Sequence, residues 1–166
     1  MLIPWELLCE NSEESRKLSA ELVEVAAADP LIFDEVIRGV LHSNHCLRMQ
    51  AAEMLEKITQ VRPLFLTPYK RLLLKEVAAI KQVEVRQQIA LLYGRVVWDE
   101  WDLKQVVALL GEWIETQSDE QIIKNSIQSL CTLAMQKEWI SPIFLQHLKN
   151  ARGKTELPMY DLSIFS

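Results

Sequence analysis

The chain has 166 residues, 49% of them apolar and 25% charged, and its 18 Lys and Arg against 23 Asp and Glu leave a net charge of −5. Such a length and apolar content predicts one domain with a sizeable core, and the acidic balance argues against a general polyanion binder. No run approaches the ~18 consecutive apolar residues of a membrane span, and the N-terminal MLIPWELLCENSEES has no basic leader region, so neither a membrane segment nor a secretory signal is expected.

In chain order, residues 3–10 predict a short leading helix in which Trp5 and Leu8 cover the open end of a helical stack. Ser12 is an N-cap for a helix over 13–28, with Glu13 and Glu14 placed where the helix dipole favours acids. Asp29 caps and Pro30 begins the next helix, which should reach about His42 with Phe33, Val36, Ile37, Val40 and Leu41 on one face. Ser43 and Asn44 cap a third helix, running to about Gln60. Thr67 and Pro68 start a fourth over about 68–80, with 63–66 as a bent approach, and a fifth spans about 83–97. Gly94 lies inside that fifth helix, where glycine costs ~1 kcal/mol relative to alanine, and close helix packing is the expected reason.

Asp99 and Asp102 form a cap and a third-position acid for a sixth helix reaching Thr116 or Gln117, with Trp98 and Leu103 spaced as a hydrophobic staple. Ser118 and Gln121 form a capping box for a seventh helix ending near Lys137. Ser141 and Pro142 open an eighth, which should leave through a left-handed Gly153. The tail over 153–166 carries Met159, Tyr160, Leu162, Ile164 and Phe165, too apolar for a solvated segment; it should pack on the last hairpin or mark a docking site.

One pattern recurs. Leu47–Ile58, LRMQAAEMLEKI, is echoed at Val85–Val96 and Ile123–Ala134, thirty-eight residues apart each time, and each copy has an aliphatic residue before a cation: Arg48, Arg86 or Lys124. A fixed period of this size predicts stacked helical hairpins, with pairs near 13–42, 45–80, 83–116 and 119–152. The order Leu47, Arg48, Ala51, Ala52 and Met54 to Ile58, with Leu92, Tyr93 and Gly94, resembles the HEAT repeat family. That resemblance implies an all-α, right-handed α-solenoid of about four antiparallel helix pairs in a single domain over 1–166. Arg48, Arg86 and Lys124 are then structural residues of the repeat that reach carbonyl or carboxylate groups in neighbouring turns; a ladder of ligand-binding cations is the alternative.

Candidate chemistry is sparse. His42, His45 and Cys46 are close together but no second ligand pair stands at a recognisable spacing, so no metal site is expected. Three widely spaced cysteines, Cys9, Cys46 and Cys131, suggest reduced thiols in a cytoplasmic protein, with Cys131 in the core. Trp113 falls in a core stripe with Val106, Leu109 and Leu110, whereas Trp101, between Glu100 and Asp102, should be partly exposed and a good interface anchor. Nine bases against four acids in residues 38–86 make the middle basic, notably at Arg62, Lys70, Arg71, Lys75 and Lys81. In a HEAT-like array the second helix of a pair lines the concave side, which would offer Lys70, Arg71 and Lys75 to an acidic peptide.

The function expected from these features is a non-enzymatic protein-binding or scaffolding module that uses its concave helix face, with no cofactor and with nucleic acid ranked behind a protein partner. Two alternatives come from resemblance. Trp98 and Asp102 match the Trp-to-Asp spacing of the HEAT-like alkylpurine DNA glycosylases, which would make Asp102 the catalytic carboxylate and Trp98 a contact to the damaged nucleotide, with Lys124 where an Arg is wanted. Chromophore lyases and assembly factors also use such repeats.

Overall fold

The computed structural model describes residues 2–165 and is all-α, with no strand among those residues. Its α-helices are α1 (Trp5–Leu8), α2 (Glu13–Ala28), α3 (Pro30–Gly39), α4 (His45–Val61), α5 (Lys70–Leu74), α6 (Val83–Leu92), α7 (Glu100–Thr116), α8 (Glu120–Gln136) and α9 (Ser141–Arg152). Single-turn 3-10 segments run over Tyr93–Arg95, Glu138–Ile140 and Leu162–Phe165, and a longer one over Pro63–Tyr69. No helix is long and apolar enough to cross a membrane among the described residues. Residue contacts group the chain into two compact units, Met1–Ile89 and Ala90–Ser166.

In the N-terminal unit, α4 packs against α1, α2, α3 and the Pro63–Tyr69 segment. It can do so because its apolar residues are not confined to one narrow stripe: Leu47, Ala51, Ala52, Met54, Leu55 and Ile58 are all buried. Side chains three and four apart share a helix face, so this set covers two adjoining faces and accepts neighbours on both. Ser12 caps α2 through a reciprocal box with Ser15, Asp29 caps α3 ahead of Pro30, and Asn44 caps α4 by accepting from the Leu47 N–H. Gly39 is required by packing rather than by backbone angle, since a Cβ there would lie 2.8 Å from Trp5 Cζ2 and 2.9 Å from Ala51 Cβ.

In the C-terminal unit, α8 has the corresponding place, against α7, α9 and the 3-10 segments at Tyr93–Arg95 and Glu138–Ile140. Its buried face includes Ile122, Ile123, Ile127, Leu130, Leu133 and Ala134 together with Ser126 and Ser129. Ser129 donates its hydroxyl to the Ala90 carbonyl at 2.5 Å, and a Cβ on Gly94 would meet Ser129 Cα at 3.0 Å. Glycine at 94 and serine at 129 therefore allow two backbones to approach, and the serine satisfies a carbonyl in return. An aromatic group of Tyr93, Trp98 and Trp113 fills the adjoining core, with ring centroids 6.2 Å apart for Tyr93–Trp98 and 5.8 Å for Tyr93–Trp113. The tail lies on α9, where Tyr160 and Phe165 bring their rings to 5.9 and 5.2 Å from Phe144; Ser166 is outside the described residues.

Five sequence expectations need correction. The fourth helix does not run over 68–80: Pro63 and Pro68 lack N–H donors, so the chain winds as 3-10 to Tyr69, makes only α5, and turns from Lys75 onward. The fifth ends at Leu92, and Gly94 lies in the following 3-10 turn. Asp119, one residue beyond the expected Ser118, caps α8 by accepting from the Ile122 N–H; its carboxylate is the stronger acceptor at a helix N-terminus. Gly153 closes α9 in the right-handed region, at φ −78°. Cys9 and Cys46 are joined as a disulfide, which leaves Cys131 as the free thiol, buried in α8.

Both hub helices can be tested at one residue each. Leu55 and Leu130 are fully buried, and Leu55→Ala and Leu130→Ala should each cost ~2–5 kcal/mol in chemical denaturation, as large-to-small core changes do. A loss below 1 kcal/mol at either position would contradict the packing described for that helix.

Candidate docking groove

The surface of α7 is organised by the same periodicity that makes its core. Leu103, Val106, Val107, Leu110, Trp113 and Ile114 face inward. Trp101, Lys104, Ala108, Glu112 and Glu115 follow at steps of three or four and form one outward stripe. A matching stripe on the last hairpin is Trp139, Ile143, His147 and Asn150. Between Lys104, Val107 and Gly111 on one side and Trp139, Ile143 and His147 on the other lies a groove of about 380 Å³. Gly111 makes it passable: a Cβ there would meet His147 Nε2 at 2.6 Å.

Each end of the groove is tied by polar groups. At the N-terminal end of α7, Asp99 Oδ1 accepts from the Asp102 N–H at 2.8 Å and holds the first turn. Lys137 Nζ reaches Glu100 Oε1 at 2.9 Å, and this contact, with a further bond from Trp139, lowers the Glu100 pKa below its ordinary value. Trp101 projects beside this pair with 76% of its surface exposed, and Val97 is exposed just before it. At the other end, Glu115 sits near the C-terminus of α7, where an acid opposes the helix dipole. It is compensated by Asn150 Nδ2 at 3.0 Å, by His147 Nδ1 at 3.0 Å from its Oε2, and by Lys154, whose Nζ donates to the Ile114 and Glu115 carbonyls. The Asn150 bond first, then His147 and Lys154, hold the Glu115 carboxyl below its ordinary pKa.

The residues named from sequence do not converge on one site. Trp101 lies on the α7 stripe that borders the groove. Lys70, Arg71 and Lys75 lie on and just after α5, in the N-terminal unit; Arg71 and Lys75 are exposed and Lys70 is half-buried. That segment is held by Tyr69, whose hydroxyl donates to Asp34 Oδ1 at 2.7 Å while Arg38 donates to Oδ2 at 2.9 Å. Burial first, and then the Asp34 bond, push the Tyr69 phenol up to about 12. Arg62 is turned away from a ligand role, donating to the Ala27 carbonyl at 3.1 Å.

Arg48 donates to the His42 and Ser43 carbonyls, each at 3.0 Å, and to Gln82 Oε1 at 2.8 Å; Arg86 is buried and donates to the Ala78 carbonyl at 3.3 Å. Each arginine thus reaches back to the turn that precedes its own helix. Lys124 is half-buried in the first turns of α8. Trp98 is 7% exposed, stacks on Tyr93 and donates Nε1–H to the Tyr93 carbonyl at 2.9 Å. A ring so enclosed has no face open to a nucleotide. Asp102 is half-buried, and its backbone N–H is used in the α7 cap. Around His42 and His45 no group of three metal-ligating side chains is present among the described residues: His42 accepts from the Asn44 N–H, and His45 is 3.9 Å from Glu84. Burial pushes the Cys131 thiol up, away from thiolate chemistry.

The exposure of Trp101 was legible in the sequence, and the groove was not, because it needs α9 opposite α7. The available signal was the pair of outward stripes with a glycine at 111. No protein-family model, curated protein or solved structure matches this chain.

The Glu115 network carries a pH dependence. Because its folded pKa is depressed, its stabilisation is complete above the ordinary carboxylate value near 4.5 and is lost as pH falls through that value and below. Melting temperatures between pH 6 and pH 3 should therefore fall more steeply in the wild type than in Glu115→Gln. Parallel curves would mean that the carboxylate contributes nothing through its charge.

Proposed function

We propose that this chain is a non-enzymatic protein-binding module, and that the α7–α9 groove receives an apolar side chain of a partner segment whose acidic residue meets Lys104. The groove itself carries the reading. Its walls are apolar and aromatic at Val107, Trp139 and Ile143, the exposed Trp101 stands on the outward stripe of α7, and Lys104 is exposed at its rim. Exposed aromatic anchors beside a pocket are the usual energetic centre of a protein interface. Lys70, Arg71 and Lys75 form a second surface that would steer an acidic partner by long-range attraction rather than by shape.

The same proposal gives the chain the fold of a HEAT-like α-solenoid acting as a scaffold. Its support is the thirty-eight-residue period, which puts two of its three copies in α4 and α8, the helices around which the units pack. The Cys9–Cys46 bond weighs against a strongly reducing compartment. The glycosylase alternative has no observation in its favour, given the enclosed Trp98.

The binding proposal is tested by selecting peptides from a random display library against the intact chain. Selected peptides should share an aromatic or branched aliphatic residue close to an Asp or Glu. Their affinity should fall 10- to 100-fold with Trp101→Ala, the loss typical of an interface anchor, and several-fold with Lys104→Glu. Peptides that bind both variants unchanged would remove the groove as the site.

A further inference from the structure

The Cys9–Cys46 disulfide joins the C-cap of α1 to the second residue of α4, with Cα atoms 6.0 Å apart and both cysteines half-buried. What it secures is a helix of four residues, too short to persist on its own. Apart from the covalent link, α1 is held by buried Ile3 and Leu8, by the Ile3 N–H on Glu35 Oε2 at 3.2 Å, and by the Trp5 indole over Gly39. Beside it lies a cavity of about 460 Å³ bordered by Trp5, Leu7, His42, Asn44 and Leu47. The segment packs against α2 and α4, with Trp5 over Gly39 of α3 and close to Leu47 of α4 across the cavity.

We propose that Cys9–Cys46 is a thiol-exchange site whose co-substrate is a dithiol reductant, and that its reduction releases α1 from α2, α3 and α4. Position decides which sulfur leaves. Cys46 is in the first turn of a seventeen-residue helix, where unpaired N–H groups and the helix dipole stabilise a thiolate; Cys9 has no such support. A lower leaving-group pKa favours departure, so the attack falls on Cys9 Sγ. The reductant's thiolate forms a bond to Cys9 Sγ, the Cys9–Cys46 bond breaks, and its electron pair goes to Cys46 Sγ, which then takes up a proton. The reductant's second thiolate displaces Cys9 from the mixed disulfide. Two protons and two electrons pass from the dithiol to the protein, and the dithiol ends as a disulfide. Without the link, a four-residue helix is ordered by the packing of Ile3, Trp5 and Leu8 and by the Ile3–Glu35 bond, and release uncovers Trp5 and the surface beneath it.

The test uses the full chain purified without reductant, then treated with dithiothreitol. Alkylation after denaturation should find one thiol before treatment and three after it. Hydrogen exchange at residues 5–9 should rise at least tenfold on reduction, with a smaller rise at 39–51, and the melting temperature should drop on the order of 10 °C. In the reduced native chain, iodoacetamide should modify Cys46 ahead of Cys9. Cys9→Ser, which leaves α4 unaltered, should exchange like the reduced wild type without any reductant while keeping its helical circular dichroism. Three alkylatable thiols in the untreated chain would overturn the proposal, as would unchanged exchange at residues 5–9 after complete reduction. Modification of Cys9 first would overturn the assignment of Cys46 as the leaving sulfur.

Discussion

Each unit depends on one helix being buried on more than one side. A helix with a single apolar stripe can hold one layer of neighbours; α4 and α8 hold several because small side chains stand among their large ones. In α4, Ala51 and Ala52 sit among Leu47, Met54, Leu55 and Ile58. In α8, Ser126, Ser129 and Ala134 sit among isoleucines and leucines. The large residues supply the transfer free energy and the small ones set how near a neighbour can come. Close approach then demands further accommodation, which appears as Gly39 under Trp5 and Gly94 against Ser129. A buried serine would be costly alone, and the Ala90 carbonyl resolves that cost by accepting its hydroxyl.

Polar groups in this protein mostly finish what packing begins. Arg48 and Arg86 return to carbonyls of the turns before their helices, and Lys154 does the same for the end of α7. Those carbonyls have no partner inside a helix, so a cation reaching them satisfies an acceptor, and Lys154 also lies at the C-terminal end of α7, where the helix dipole favours a cation. Glu115 is the exception that needs explaining, an acid at the wrong end of α7. Its cluster of His147, Asn150 and Lys154 compensates it and, in doing so, fixes the ring that forms one wall of the groove. The groove is therefore a consequence of Gly111 on one helix and a held histidine on another.

Charge and apolar exposure are divided between the units in a way that suits two kinds of recognition. The Lys70–Lys75 segment is short, interrupted by proline on its N-terminal side, and anchored by the Tyr69–Asp34 bond. It presents charge with little shape. The α7–α9 groove presents shape with less charge, since Glu115 and His147 in its wall are paired with each other and Glu100 at the start of α7 is paired with Lys137. Of the two, shape discriminates among partners more sharply at physiological salt, where exposed charges are screened beyond about 8 Å.

Most helices, most caps and the apolar faces were legible from the sequence, because 3.6-residue periodicity, the Ser12 and Asn44 caps and the Asp29-Pro30 start act within a few residues of one another. The caps of α2, α3, α4 and α7 and the burial of Leu55, Met54, Leu130 and Ile127 follow from such local chemistry. Exposure of Trp101 followed too, from its acidic neighbours. Other features depended on residues far apart in the chain. The Cys9–Cys46 bond spans 37 positions, the His147–Glu115 pair spans 32, and Tyr69 meets Asp34 across 35. No local pattern encodes which distant side chain will arrive. The prolines at 63 and 68 could be seen to disturb a helix, but the sequence did not show that only Lys70–Leu74 would remain α-helical. Sequence alone thus determined the helices and the faces they bury, because those follow from short-range spacing. Tertiary structure decided the disulfide, the groove and the true extent of the basic segment, because each depends on which helices meet.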